Sequence, residues 1–244
     1  DWSSDVCSSD LNVQSELKLA AANCKYHKLM SAGTNAIEAD KIKGKVGRVD
    51  LSLLKLDHLE ATIKDIQSLR CNDIASKKML QTLQFLLSVR NDIRSAMLES
   101  AVKRINSFDV SDLLISCHDE IDLCKRHAED KLLQDRLKAC LSAGNVYGEP
   151  GNIKSGEIIV KDLNDCIISC KSGDINNSYT KRLITCGKEI LQLRQKILSE
   201  DWDALFEVVK ALSPAFGIFD RSQKEAEKVQ HEVMERLALD KLRY

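Results

Sequence analysis

The sequence predicts an all-α protein built as an α-solenoid-like array of antiparallel helix hairpins, containing about two copies of a four-helix period. Three observations predict this fold. Residues 148–202 repeat residues 44–98 without a gap, and apolar residues recur at helical spacings of three and four. Only two prolines and ten glycines interrupt the 244 residues. A long internal repeat is typical of arrays in which each unit buries its apolar face on its neighbour.

The repeat has a constant offset of 104 residues, which is the separation of Gly44 and Gly148. Identical residues of the first copy are Gly44, Gly47, Leu59, Ile63, Ser68, Asn72, Lys77, Leu87, Arg90, Ile93 and Ser95. Their counterparts in the second copy are Gly148, Gly151, Leu163, Ile167, Ser172, Asn176, Lys181, Leu191, Arg194, Ile197 and Ser199. We expect these repeat-defining residues to be structural, with turns at the glycines and a core at the Leu and Ile positions.

The offset also predicts how the chain is divided. Residues 44–147 form a first period, and residues 148–244 form a second period that stops in mid-pattern. Residues 12–43 are expected to hold the end of a preceding unit and an insertion loop. Apolar and small residues between Leu17 and Leu29 predict a helix there, and Ser31-Ala32-Gly33 is expected to end it.

Residues 1–11, DWSSDVCSSDL, show neither helical nor strand periodicity. They resemble the conceptual translation of a sequencing adapter. This resemblance implies a disordered, non-native segment in an environmental sequence, and the alternative is a natural Ser/Asp-rich disordered start. Together with the pattern that stops at Tyr244, it leads us to expect a fragment of a larger protein.

In the first copy, apolar residues from 53 to 69 and from 74 to 97 follow helical spacing, with Asn72-Asp73 available to cap the second helix. The second helix is expected to continue or bend through residues 101–105. Residues 110–143 then form a long amphipathic helix that Gly144 ends.

The second copy predicts the same order. Ile158–Val160 is β-branched, but its alignment with Leu54–Leu56 favours the start of a helix. Gly173-Asp174 stops that helix, and Asp201-Trp202 begins a later short one. Ser222-x-x-Glu225 has the spacing of a capping box and is expected to open the last helix.

Cys117, Cys124 and His127 share one helix face and are weak candidates for a zinc site, which needs four converging ligands. The favoured alternative is that the cysteines are small hydrophobes within the apolar stripes, kept as free thiols in a reducing, cytoplasmic compartment. No histidine or cysteine recurs in the other copy, so a Cys–His nucleophilic site is not expected. We predict no metal, no cofactor and no enzyme.

The two Gly-x-x-Gly loops, at Gly44 and Gly148, lack the strand and the Lys-Ser/Thr of a phosphate loop, so turns are favoured. For Arg90 and Arg194 a role in ligand or partner binding stays open. An ion pair between helices, or a contact with helix-end carbonyls, is favoured. Trp202 aligns with Leu98 and is interpreted as a packing residue. Charged pairs such as Lys224-Glu225 are interpreted as solvated surface.

The net charge of −1 argues against nucleic acid and against a basic membrane-binding surface. No apolar run reaches the roughly 20 residues of a membrane-spanning helix.

The pattern GxxG, helix LxxxI, Asn, helix LLxLRxxI, DW resembles helical repeat arrays of very large multi-domain proteins of unicellular eukaryotes. The first copy departs from it at Met97-Leu98. The resemblance implies a non-catalytic scaffold or interaction segment, with protein partners or neighbouring domains of the same chain. The alternative is a regulatory or ligand-binding helical bundle attached to an enzyme domain.

Overall fold

We analysed a computed structural model that describes residues 5–51, 54–69, 73–146, 148, 153, 158–170, 177–213 and 217–242. These residues form nine α-helices and one two-stranded hairpin, so the predicted all-α class is confirmed. The turns and caps predicted at Asn72, Gly151 and Gly173-Asp174 lie outside the described residues.

The helices, in chain order, are α1 (Asp5–Ala39), α2 (Asp57–Ser68), α3 (Ile74–Arg94), α4 (Leu98–Asn106), α5 (His118–Ser142), α6 (Lys161–Cys170), α7 (Ser178–Leu198), α8 (Trp202–Lys210) and α9 (Asp220–Leu242). Between α1 and α2 lie the strands β1 (Gly44–Lys45) and β2 (Arg48–Val49), paired antiparallel. Two short 3₁₀ turns, Val110–Asp112 and Ile115–Cys117, precede α5.

The helix boundaries recur at the sequence offset. Helix α3 runs from Ile74 to Arg94 and α7 from Ser178 to Leu198, so both their starts and their ends are 104 residues apart. The same holds for α4 and α8. Helices α3 and α7 both begin after an N-cap side chain, Asp73 or Asn177, and α4 and α8 both begin after a break in the preceding helix. The local features that start these helices therefore recur together with their boundaries.

The chain divides into two compact units, Asp1–Ala128 and Glu129–Tyr244, and the division falls within α5. Each unit has its own apolar core. In the first unit Leu59 and Ile63 are buried, and Leu87 is partly buried against the core. In the second unit the repeat-defining residues Leu163, Ile167 and Leu191 are buried. These Leu and Ile residues therefore pack as the helical spacing predicts.

Helix α3 ends in a break that α7 repeats. Ala96 has φ +55° and Glu200 has φ +54°, which are left-handed conformations at two non-glycine residues. The amide of Met97 donates to the Asp92 carbonyl oxygen at 2.8 Å and closes the turn. The chain therefore starts a new helix, α4, instead of continuing or bending the old one.

Helix α1 differs from the prediction at both ends. It includes residues 5–11, which were expected to be disordered, whereas their adapter origin stays a prediction. It also continues through Gly33 to Ala39. A Cβ at Gly33 would lie 2.5 Å from Met79 Sδ, so this glycine allows α1 to approach α3 closely and does not cap a helix. The segment between α1 and α2 is consequently one residue shorter than the segment between α5 and α6.

The first Gly-x-x-Gly loop is the turn of the β1–β2 hairpin. Gly44 has φ +130° and Gly47 has φ +82°, and Gly148 in the second copy has φ +111°. A side chain at any of these positions would be strained, because L-residues rarely adopt such conformations. The turn prediction is confirmed for Gly47, whereas Gly44 lies in β1 and pairs with Val49 next to that turn.

Two predictions in the second unit are wrong. Ile158–Val160 is irregular backbone that precedes α6 and is not the start of that helix. Helix α9 begins at Asp220, so Ser222 lies inside its first turn and is fully buried. The amide of Ser222 donates to the Phe219 carbonyl oxygen. Ser222 and Glu225 therefore do not open the helix as a capping box.

Gly144, which follows the end of α5, provides a test of this geometry. It has φ +62°, and an added Cβ would lie 2.5 Å from the Ile159 backbone nitrogen. We expect Gly144→Ala to lower the free energy of unfolding by about 1–3 kcal/mol, because strain and overpacking add. Gly217→Ala is the control, since no atom of the described residues lies within 4 Å of its added Cβ. Urea unfolding followed by circular dichroism measures both, and equal effects would contradict this account.

Candidate functional site

Arg90 lies in the core of the first unit because it is on the buried face of α3. That face includes Leu86, Val89 and Ile93, which are all buried. Arg90 lies among them, and 0% of its surface is exposed. An arginine guanidinium keeps its positive charge when it is buried. It therefore needs acceptors that are buried with it.

Glu120 on α5 supplies two of those acceptors. Arg90 Nε donates to Glu120 Oε1 at 2.7 Å, and Nη2 donates to Oε2 at 2.8 Å, which is a bidentate pair. Nη2 also donates to the Ile37 carbonyl oxygen at 2.8 Å, near the end of α1. The Ile42 amide donates to Glu120 Oε1 at 3.0 Å. One ion pair thus joins the end of α1, the following link, α3 and α5.

The second unit contains the same network. Arg194 on α7 is 0% exposed, and its Nε and Nη2 donate to Glu225 Oε1 and Oε2 on α9 at 2.8 and 3.0 Å. Nη2 also donates to the Leu141 carbonyl oxygen at 3.0 Å, near the end of α5. The Val146 amide donates to Glu225 Oε1 at 3.3 Å.

Every partner in the first network has its counterpart in the second. Arg194, Leu141 and Val146 each lie 104 residues after Arg90, Ile37 and Ile42, and Glu225 lies 105 residues after Glu120. The contacts favoured from the sequence, an ion pair and a helix-end carbonyl, are both present at both arginines. The chemistry of this site is structural, because neither guanidinium nor carboxylate is open to solvent.

The two networks differ at both terminal nitrogens of the guanidinium, because Arg194 Nη2 also donates to Asn145 Oδ1 at 3.1 Å. Arg194 Nη1 donates to the carbonyl oxygens of Ala143 and Ile159, at 2.9 and 3.2 Å. Arg90 Nη1 is buried and has no hydrogen-bond partner among the described residues. The second network is therefore the more completely satisfied of the two.

The interpretation of Lys224-Glu225 as solvated surface is wrong for Glu225. It is 3% exposed and belongs to the core network. A signal for this position was present in the sequence, because Glu120 and Glu225 recur as identical residues next to buried apolar positions. A solvated face does not require the same charged residue in each copy.

A second buried polar cluster is confined to the second unit. Asp130 on α5 accepts hydrogen bonds from Asn177 Nδ2 and Thr180 Oγ1, both at 2.7 Å, and from Gln134 Nε2 at 2.8 Å. Asn177 also caps α7 by accepting from the Tyr179 amide. Sequence reasoning missed this cluster, because the first-copy positions carry Tyr26, Asp73, Ser76 and Met30, and the cluster has no repeat.

The candidate zinc ligands do not converge. The Cys117 thiol donates to the Leu114 carbonyl oxygen at 2.8 Å, and His127 Nδ1 accepts from the Gly47 amide at 3.3 Å. No group of three or more His, Cys, Asp or Glu side chains suited to a metal occurs in the part of the chain that the structure describes. Burial, followed by the charge of Glu120, raises the pKa of the Cys117 thiol to about 11 and that of Cys124 to about 12. Both thiols are therefore held in the protonated form, which binds metals weakly.

Trp202 starts α8 and is half-buried against the second core. The guanidinium carbon of Arg236 lies 3.7 Å from its ring centroid, and Arg236 Nε donates to the buried Glu232 at 2.6 Å. The indole therefore holds a surface arginine against its own unit.

Among the described residues, no helix is both long and apolar enough to cross a lipid bilayer. Comparisons with protein-family models, with curated proteins and with solved structures found no match to this chain.

The Arg194–Glu225 pair can be tested by a double-mutant cycle. We expect Arg194→Met alone to lower the free energy of unfolding by about 3–5 kcal/mol, because it leaves a buried carboxylate without its counter-ion. Adding Glu225→Leu should restore most of that loss. Lys210→Met, which breaks an exposed pair with Glu207, is the control and should change stability by less than about 0.5 kcal/mol. A single substitution that costs no more than the control would overturn the structural role.

The buried thiols predict a dependence of stability on pH. An unfolded cysteine loses its proton near its ordinary pKa of 9.0, whereas the folded Cys117 does so only near 11. Above pH 9 the unfolded state therefore binds fewer protons, and the free energy of unfolding should fall as pH rises from 9 towards 11. Denaturation at pH 7.5 and pH 10 measures this. Cys117→Ala combined with Cys124→Ala should make the fall shallower, and an unchanged slope would contradict it.

Proposed function

We propose that this chain is a non-catalytic helical repeat scaffold, a segment that spaces other domains or presents an extended surface to protein partners. One observation carries the proposal. The two units repeat the same buried network of guanidinium, carboxylate, helix-end carbonyl and backbone amide. A duplicated chemical group that serves only to join helices is the expected property of a repeat unit.

The distribution of reactive groups supports the same proposal. Cys166, Cys170 and Cys186 have pKa values raised by burial, so their thiols are poor nucleophiles at neutral pH. The fully buried arginines cannot reach a substrate. The buried thiols and the buried arginines are thus used inside the two cores and not at an open cleft.

The alternative, a regulatory or ligand-binding bundle, has one observation in its favour. An open groove of about 690 Å³ in the first unit is lined by Ala22, Asn23, Tyr26, Asp73, Ile74 and Ala75. Its size suits a small ligand, although it has few convergent polar groups.

The scaffold role is tested on the unmodified chain by two measurements together. Thermal unfolding is followed against a panel of nucleotides, amino acids, sugars and other metabolites at 1 mM, and we expect no compound to raise Tm by more than about 2 °C. Cross-linking mass spectrometry in cells expressing the tagged chain should place its exposed lysines next to the same protein in repeated preparations. The tagged partner should recover this chain in the reciprocal experiment. A saturable metabolite that stabilises the chain, or turnover of such a compound, would overturn the scaffold role in favour of the alternative.

A further inference from the structure

The N-terminal half of α1 displays a surface that α5 and α9 use to bind their units. We call it the Glu16 face, and its residues are Val13, Glu16, Leu17, Ala20, Asn23 and Cys24. At the offset of 104 these positions become Cys117, Glu120, Ile121, Cys124, His127 and Ala128 of α5, and all six are buried. At a further 105 they become Ser222, Glu225, Ala226, Val229, Glu232 and Val233 of α9, and all six are buried as well.

On α1 the same six positions are exposed. Leu17, which corresponds to the buried Ile121, is 63% exposed, and Val13 is 52% exposed. Cys24, which corresponds to the buried Ala128, is an exposed free thiol. An exposed apolar stripe of this kind is typical of a surface that binds a partner.

The buried versions of this face bind one kind of partner. In the first unit Glu120 accepts hydrogen bonds from Arg90 and from the Ile42 amide, and buried apolar residues surround it. In the second unit Glu225 receives Arg194 and the Val146 amide in the same way. The face is therefore complementary to a three-helix module in which an arginine follows two apolar residues on the middle helix.

Asn23 supplies a second, independent match. Its counterpart His127 accepts a hydrogen bond from the Gly47 amide in the hairpin turn of the first unit, at 3.3 Å. The Asn23 carboxamide has an acceptor oxygen that can take the same bond. Asn23 also lines the open groove at the start of α3, where Ile74 is 87% exposed. Space and apolar surface are thus available where the hairpin of a bound module would lie.

We propose that the Glu16 face binds a further helical module of the same design as α2–α4 and α6–α8, with its buried arginine paired to Glu16. The proposal rests on the scaffold function and names the chemistry of one partner. The partner is an arginine-bearing helical module, whose guanidinium would be desolvated between apolar side chains and would take the place that Arg90 and Arg194 take in their own units.

The experiment extends the chain with such a module. A copy of residues 131–221 is joined directly before Val13, so that the copied Arg194 faces Glu16 as the original faces Glu225. Cys24 reports the result, because it is an exposed thiol and its counterpart in α5 is buried. We expect alkylation of Cys24, followed by peptide mass spectrometry, to slow by at least about tenfold relative to the unmodified chain, because the reagent must wait for local opening.

Variants of the extended chain identify the contact. Glu16→Gln should restore fast alkylation of Cys24, whereas the matched control Lys18→Gln should leave it slow, because the counterpart of Lys18, Asp122, is exposed in α5. Glu16→Leu combined with Arg194→Met in the added copy should recover slow alkylation, since an apolar pair can replace a buried ion pair.

Three results would overturn the proposal. The first is that Cys24 is alkylated at the same rate with and without the added module. The second is that the added module stays sensitive to protease, because a module bound to the Glu16 face should be folded and therefore protected. Protection of Cys24 in the unmodified chain that rises with protein concentration and is lost in Glu16→Gln would identify a second copy of the chain as the occupant instead. The first two results leave the ligand panel and the cross-linking of the unmodified chain unchanged. Binding of a second copy would appear there as cross-links between identical chains, so the scaffold role is judged separately.

Discussion

The fold depends on a charge that cannot be removed. A guanidinium in a core remains ionised, so the surrounding backbone must provide acceptors at fixed positions. Two of those acceptors are common to both units: a glutamate, and the carbonyl oxygen of Ile37 or Leu141, which lies in the last turn of a long helix. Carbonyls there have no partner inside their own helix. The arginine therefore satisfies the end of one helix, and its carboxylate partner accepts a hydrogen bond from an amide of the link that follows. One pair thus determines where four segments meet: the end of the long helix that supplies the carbonyl, the link, the helix that carries the arginine, and the long helix that carries the glutamate.

The two ends of α5 therefore have different roles in the two networks. Helix α5 contributes Glu120 to the network of the first unit and the Leu141 carbonyl to that of the second. Helix α9 contributes Glu225, and α1 contributes the Ile37 carbonyl. A helix that supplies a carboxylate from its first half and a carbonyl from its last turn takes part in two units, whereas α2–α4 and α6–α8 serve one unit each. This division of roles explains why the boundary between the two compact units lies within α5 and not at the start of the second sequence repeat.

Much of this could be predicted from the sequence, and the failures have physical reasons. Helical spacing located the helices and the Leu and Ile core, since burial on one face follows directly from period. Gly33 was misread because a helix-capping glycine and a glycine that admits a neighbouring helix look alike in sequence, and only the position of Met79 separates them. Glu225 was misread because local charge suggests a solvated face, whereas its partner is 31 residues away in sequence. The Asp130 cluster depends on tertiary contacts that no repeat reveals.

The comparison between copies also separates what holds the units together from what can distinguish them. Residues that recur, such as Arg90 and Arg194, do the same work in both units and cannot give either one a partner of its own. Positions that differ in chemistry can. Asp130 in the second unit is buried and fully hydrogen-bonded at the start of α7, whereas its counterpart Tyr26 borders an open groove at the start of α3. The same backbone site is thus closed by polar contacts in one unit and left open beside an aromatic ring in the other. Aromatic rings at accessible grooves are common anchors in protein interfaces. Under the proposed scaffold function, discrimination between partners is therefore expected where the repeat is broken, because the preserved arginine–glutamate pair would bind every helical module of this design alike.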